Sequence, residues 1–230
     1  MHRNWLEVLS ACSLFEGIAK EDINGILQCL GAEVTEYKKN EYLTIAGEKF
    51  SRIGVVLDGT VALTKETVKG NRVIINLLGP GEIFGEMAAY SDLKIWPVTV
   101  TAKTDCTIMF FSQEKIVGCC GQVCQCHQQL MLNMLRILSN RALMLNRKVE
   151  YLSLKSLRGK IATYILEEYE KSGHKIFQLN LNRNDLADFI NATRPSLSRE
   201  LGKMRDEGLL DFYGTAIKIK DLEKLRSFSE

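Results

Sequence analysis

The sequence predicts an α+β chain made of an N-terminal antiparallel β-roll, a long helix and a C-terminal winged helix-turn-helix. Three observations predict it. Residues 32–111 read as short β-branched runs separated by turn residues, and residues 123–152 carry a heptad pattern with no Gly or Pro in its seam. Asn182 to Leu210, NRNDLADFINATRPSLSRELGKMRDEGLL, carries the punctuation of two short helices joined by a tight turn.

In chain order, a helix is expected between Lys20 and Leu30. The runs AEVTEYKK, RIGVVL, TVALTKETV and RVIINLL follow, with Asp58-Gly59, Lys69-Gly70-Asn71 and Gly79-Pro80-Gly81 at the turns between them. Such runs close into an antiparallel barrel or roll. Gly85 and Glu86 open a short segment, EMAAYSD, before VTVTA and CTIMFFS complete the domain. From Val123 to Leu152 the pattern becomes helical. Met131, Leu135, Leu138, Ala142, Leu145, Val149 and Leu152 step by 4, 3, 4, 3, 4, 3, the 3.5 period of helices that pair with a partner. At 1.5 Å per residue this helix extends ~45 Å, too long to be one wall of a small barrel. Ser153 to Ser156 reads as a hinge, followed by a helix from Leu157 to Tyr169, a strand from Lys175 to Leu179, the helix-turn-helix, and a hairpin around Gly214 that forms a wing. The expected division is a sensor roll over 1–122, a dimerisation helix over 123–152 and a DNA-binding domain over 153–230.

Within the helix-turn-helix, Asn182 caps the first helix and Asn191 and Ala192 make the turn. Thr193 caps the second helix, whose first turn holds Pro195 and which Gly208 stops. Leu197, Leu201 and Met204 recur at i, i+4, i+7, so one face is buried. At 100° per residue from Leu197, Pro195, Ser196, Arg199 and Lys203 fall on the far side, and Arg194 adds reach from the N-terminus. Arginines so placed suit guanine edges in a major groove, each of which accepts two hydrogen bonds from one guanidinium.

Composition bounds the reading. A chain of 230 residues can bury a proper core and is long enough for two domains. It has no run of 18 apolar residues and no apolar stretch like that of a signal peptide near its start, so an unexported, cytoplasmic protein without a membrane partner is expected. The net charge is only +2. Residues 153–230 hold 14 Lys and Arg against 12 Asp and Glu, while the first 152 residues hold 16 of each, so any nucleic-acid contact must be a local patch. Seven cysteines, an odd number, argue against a closed disulfide framework. Four of them lie in CCGQVCQCH at 119–127. Cys120, Cys124 and His127, at i, i+4 and i+7 of a helical turn, are the candidate ligands of a metal or an iron-sulfur cluster, with Cys119 or Cys126 as a fourth, or else a redox-active thiol set. The competing structural reading is a set of small buried residues. No orienting third group accompanies a Cys-His pair, and no enzyme is expected.

A roll, a long heptad helix and a winged helix-turn-helix, with GPGEIFGE at 79–86 and the 182–210 motif, resemble the bacterial transcription regulators of the cyclic-AMP receptor protein and fumarate-nitrate regulator superfamily. The resemblance covers essentially the whole chain. It implies a cyclic-nucleotide-binding-like roll that senses a small molecule, a homodimer, a palindromic double-stranded operator, and contact with RNA polymerase. It also implies that Arg194, Pro195, Ser196 and Arg199 face DNA, although the family often has an acidic residue where Pro195 stands. Glu86 matches the position that contacts the ribose in nucleotide-binding members. The Arg-Ser or Arg-Thr pair that holds the cyclic phosphate is replaced by Trp96 and Pro97, and no arginine occurs between Arg72 and Arg136. Lys94 could only offer a point charge. A buried phosphate without a bidentate partner is poorly compensated, so cyclic AMP is not the expected effector. Glu86 and Trp96 are the candidate effector-pocket residues, although a core-packing Trp beside a strand-initiating Pro is the favoured reading of Trp96. The alternative function is a metal-binding or thiol-redox module whose helical hairpin binds protein instead of DNA.

Overall fold

The computed structural model describes residues 5–66, 72–118 and 125–229. The chain forms two compact units, Met1–Arg141 and Ala142–Glu230, whose boundary falls inside one long helix.

The first unit opens with α1 (Leu6–Ala11), a 3-10 turn at Ser13–Phe15 and α2 (Lys20–Leu30). α2 forms because Ile23, Ile26 and Leu30 share one buried face, Glu21 and Asp22 sit in its positive first turn, and Gly31 ends it at φ 59°. The roll follows as β1 (Glu33–Tyr37), β2 (Tyr42–Thr44), β3 (Arg52–Asp58), β4 (Val61–Glu66), β5 (Arg72–Leu78), β6 (Ile83–Phe84), the short α3 (Glu86–Ala89), β7 (Thr99–Ala102) and β8 (Cys106–Ser112). Two four-stranded sheets result, in the orders β1-β8-β3-β6 and β2-β7-β4-β5, and each pairing is antiparallel. Between them Phe50, Phe84, Trp96 and Phe110 pack with ring centroids 5.6 to 6.5 Å apart, in stacked, tilted and edge-on geometries that each add ~0.5–1.5 kcal/mol beyond area burial. Gly54 on β3 permits this filling, since a Cβ there would lie 2.4 Å from the Phe84 ring.

After α4 (Gln113–Val117) comes α5 (Gln125–Ser153), 29 residues long. Its first half is anchored in the first unit by the buried Leu130 and Met134, and by Asn133, whose Nδ2 donates to the backbone oxygens of Leu14 at 2.9 Å and Glu16 at 2.8 Å. Its last turns belong to the second unit. Tyr151 is buried there, with its ring 4.9 Å from Phe189 and 6.5 Å from Tyr164. The helix therefore carries Tyr151, in its last turn, into the winged-helix core before the break at 154–156.

The second unit continues with α6 (Leu157–Ser172), β9 (Ile176–Gln178), α7 (Arg183–Phe189), α8 (Arg194–Asp206), β10 (Leu210–Tyr213), β11 (Ala216–Ile219) and α9 (Leu222–Arg226). The wing is the β10–β11 hairpin, and β11 also pairs with β9. The segments α1, β2, β6 and α4 were not expected from the sequence, because two- to six-residue elements carry too few residues to display a period. Among the described residues no helix is long and apolar enough to cross a membrane.

Candidate functional site

The helix-turn-helix is held by the caps its sequence announces. Asn182 Oδ1 accepts from the backbone N–H groups of Asn184 at 2.9 Å and Asp185 at 3.1 Å, and Thr193 Oγ1 accepts from that of Ser196 at 3.3 Å. Each such cap stabilises its helix by ~1 kcal/mol. Between them Asn191 takes φ 55°, a left-handed conformation that Asn tolerates better than most residues. Leu186, Ala187 and Ile190 of the first helix and Leu197, Leu201 and Met204 of the second are all buried in one core.

Burying that stripe turns the opposite side of α8 outward. Arg194, Pro195, Arg199 and Lys203 are exposed and Ser196 half-buried, so the structure brings all five sequence-predicted residues to the outer side of one helix. Arg199 lies along its own helix, with Nε 3.4 Å from the Pro195 carbonyl and Nη2 3.4 Å from Ser196 Oγ. Bonds that long are weak enough to exchange for a partner. Lys203 approaches Glu200 at 3.8 Å.

One basic residue was missed. Arg183, the first residue of α7, lies over the Phe212 ring at 4.9 Å and donates from Nη2 to the Gly214 carbonyl of the wing at 3.2 Å. Its Nη1 is buried with no hydrogen-bond partner among the described residues, and that burial lowers the guanidinium's pKa. Arg183 lines a cleft of about 400 Å³ together with Asn182, Asn184, Arg194, Phe212 and Thr215. Position 183 follows a cap in the sequence, but nothing local there says that the wing folds back over it.

In the roll, Gly85 takes φ 94° at the N-terminus of α3, where a Cβ would lie 2.5 Å from the Arg52 carbonyl. Only glycine fits, and the turn drives the next residue, Glu86, inward to complete burial. Glu86 Oε1 is bonded to the Arg141 guanidinium from α5, whose Nη2 also donates to the Ile83 carbonyl at 3.2 Å. Glu86 Oε2 has no partner among the described residues. Burial raises the pKa of this carboxyl and outweighs the attraction of Arg141. Trp96 does not line an open pocket: it is 1% exposed and packs in the core, its ring 5.6 Å from Phe50, with Nε1 unpartnered among the described residues. The physical reason is that a large apolar ring between the exposed Ile95 and Pro97 gains more from filling the roll than from facing a ligand.

The cysteine cluster is only partly in view. Cys119, Cys120 and Cys124 lie outside the described residues, while Cys126 is half-buried and His127 buried at the start of α5. Among the described residues no group of three or more His, Cys, Asp or Glu could hold a metal ion.

Comparison with known proteins agrees with this architecture. The cyclic nucleotide-binding domain model matches residues 34–122, and the Crp-like helix-turn-helix domain model matches residues 159–228. The cAMP-activated global transcriptional regulator CRP of Pasteurella multocida is 23% identical over 190 residues, spanning 81% of this chain and 89% of that protein. The Thermus thermophilus catabolite activator protein superposes with a TM-score of 0.55 at 22% identity, over 94% of this chain and 98% of its own. A variant of CooA from Carboxydothermus hydrogenoformans superposes with a TM-score of 0.57 at 21% identity, over 100% and 97% respectively. With a cyclic nucleotide-binding-type roll ahead of a Crp-like helix-turn-helix, this chain belongs to the CRP/FNR family of DNA-binding transcription regulators.

Proposed function

We propose that the chain acts as a homodimer that reads a palindromic operator through α8, under a signal other than cyclic AMP. The observation that carries this reading is the outward face of α8, with Arg194, Arg199 and Lys203 exposed opposite a fully buried apolar stripe. Arg199 is the base reader: a bidentate contact to guanine is worth ~1–3 kcal/mol of discrimination. Pro195 shapes the first turn, and Arg194, Ser196 and Lys203 set register on phosphates, which carry no direct sequence information. Arg183, half-buried at the base of the wing, adds positive charge to the cleft that it lines with Arg194.

Dimerisation is supported by α5, where Leu135, Leu145, Val149 and Leu152 are exposed at heptad steps, each by 47% or more. Ala142 shares that exposed line, whereas Met131 and Leu138 are half-buried against the roll's core. In this reading residues 1–122 receive the signal, 123–152 pair, and 153–230 bind DNA and present surface to RNA polymerase in the cytoplasm. The Pasteurella relative is by name cAMP-activated. Here the place expected for a phosphate-holding arginine carries the buried Trp96 indole, so a cyclic phosphate would be desolvated without a partner. The effector site is therefore proposed around Glu86 and its Arg141 partner, and Trp96 closes rather than lines it.

Selection of binding sites from random DNA tests the DNA reading. Arg199→Ala should flatten preference at one base pair in each half-site, with half-sites one helical turn, ~34 Å, or a multiple of it apart. Lys203→Ala should weaken all sequences alike and reduce the salt slope by about one unit. An Arg199→Ala motif identical to that of the wild type would remove Arg199 from the base-reading set.

A further inference from the structure

The first turn of α6 holds both helices of the helix-turn-helix. Lys160 Nζ donates to the Ile190 carbonyl at the C-terminus of α7, at 3.3 Å. Arg158 does more, and no part of the DNA-facing surface described above includes it. Its Nε donates to Glu200 Oε1 at 2.6 Å, while Nη1 and Nη2 donate to the two oxygens of Glu207 at 2.7 and 2.8 Å. Glu200 lies in the middle of α8 and Glu207 caps its C-terminal end, so one planar guanidinium spans about two turns of the recognition helix. The guanidinium carbon also lies over the Phe228 ring, 5.1 Å from its centroid. The side chains of Arg158 and Glu200 are 21% and 17% exposed, drier than a surface ion pair. Glu207 is 41% exposed, so the sheltered bond is the one to Glu200, while the Glu207 pair gains its directionality from being bidentate.

The position of this group in the chain matters as much as its bonds. Arg158 comes two residues after Ser156, the cap of α6, and five after the end of α5 at Ser153. A guanidinium so placed joins the break after the long helix directly to the axis of the recognition helix, without passing through the apolar core.

We propose that Arg158 is a positioning residue for DNA reading: by gripping Glu200 and Glu207 it sets the tilt of α8 and so the aim of Arg199, the neighbour of Glu200. This rests on the reading that α8 enters the major groove. Contact with a base edge is sensitive to tilt because both hydrogen bonds of a bidentate pair must be met at once, whereas phosphate contacts tolerate small rotations. Loss of the clamp should therefore reduce discrimination more than overall affinity.

The test uses full-length protein and the operator selected by the wild type, titrated against the operator changed at the base pair that Arg199→Ala desensitises. Three variants are compared: Arg158→Gln, Arg158→Lys, and Glu200→Gln combined with Glu207→Gln, which leaves Arg158 in place; the thermal unfolding of each is measured beside its DNA binding. Discrimination is expected to fall about fivefold or more in all three, which corresponds to the low end of a bidentate contact. Arg158→Lys keeps the charge without the fork and is expected to group with the glutamine variant. Unchanged discrimination in the double carboxamide variant would overturn the proposal, whether or not affinity for all DNA rises. A uniform gain for operator and non-operator DNA would instead make Arg158 a latent phosphate contact and also overturn it. If wild-type protein selects no motif at all, the DNA reading itself fails, and this inference with it.

Discussion

Glu86 and Glu207 each face an arginine, and they respond in opposite directions. Glu207 is solvated, so the two bonds from Arg158 dominate and lower its pKa. Glu86 is fully buried, and desolvation exceeds the pull of Arg141, leaving its pKa raised. A folded-state value above the unfolded one means that the folded protein holds this proton more tightly. The contribution of Glu86 to stability is then complete below the ordinary glutamate value of about 4.3 and is lost as pH rises through the raised value. Glu86→Gln should flatten that part of the stability profile, and urea unfolding of both proteins across the weakly acidic range would check it. Profiles that stay parallel would show that the Arg141 pair, not burial, sets the state of the carboxyl. Since Oε2 is unpartnered among the described residues, a ligand that donates to it would favour the ionised carboxyl and oppose the raised pKa, by removing the cost of a bare buried oxygen.

Among the elements, α5 carries the two most exposed claims. A seam of apolar side chains facing water is a liability unless another surface covers it, and Leu145 and Val149 are 58% and 61% exposed. Leu145→Asp with Val149→Asp should place charges at facing heptad positions and give monomers. These positions are preferable to Leu138, which also packs against the roll's core and would confound assembly with folding. Analytical ultracentrifugation would decide, and a variant that still sediments as a dimer would exclude this seam. At its other end the same helix is tied into the winged-helix core. Tyr151 sits on Phe189, and Arg147 is bonded to Glu167 with its guanidinium 5.4 Å from the Phe189 ring. Tyr151→Ala should destabilise the C-terminal unit by ~3–5 kcal/mol, the range for emptying a buried aromatic site. Denaturant unfolding of the full chain followed by a probe in that unit would measure it. A loss under ~1 kcal/mol would mean that the last turns of α5 are not part of the core.

For the whole molecule, the proposed reading makes the first unit the receiver of a signal, and the candidate signals can be tested. Cyclic AMP should neither bind measurably nor alter DNA affinity, and calorimetric titration reaching micromolar affinity would contradict this. The cysteine-rich junction is the sequence's other candidate sensor. If it holds metal or a reversibly oxidised thiol pair, anaerobically purified protein should lose that property in Cys120→Ser with Cys124→Ser, by metal analysis and thiol titration. Identical results for wild type and double variant would leave those thiols as small packing residues. With a net charge of only +2, operator binding should depend on local contacts, and its salt slope should follow the count of α8 and wing-base cations rather than total charge.

The sequence by itself determined the fold class, the helix-turn-helix and its caps. Each of these is written in local periodicity and in residues such as Asn182, Thr193 and Gly208, whose effects act within a few positions. The outward face of α8 was legible for the same reason, because burying Leu197, Leu201 and Met204 leaves only one direction for Arg199. Only tertiary structure could decide that Trp96 is core, that Glu86 meets Arg141, and that Met131 and Leu138 turn partly toward the roll. It also decided that Arg183 lies under the wing and that Arg158 reaches Glu200 and Glu207, more than 40 residues away. Those outcomes depend on which long-range neighbours remove a side chain from water. Desolvation and ion pairing are properties of a site in three dimensions and have no period along the chain.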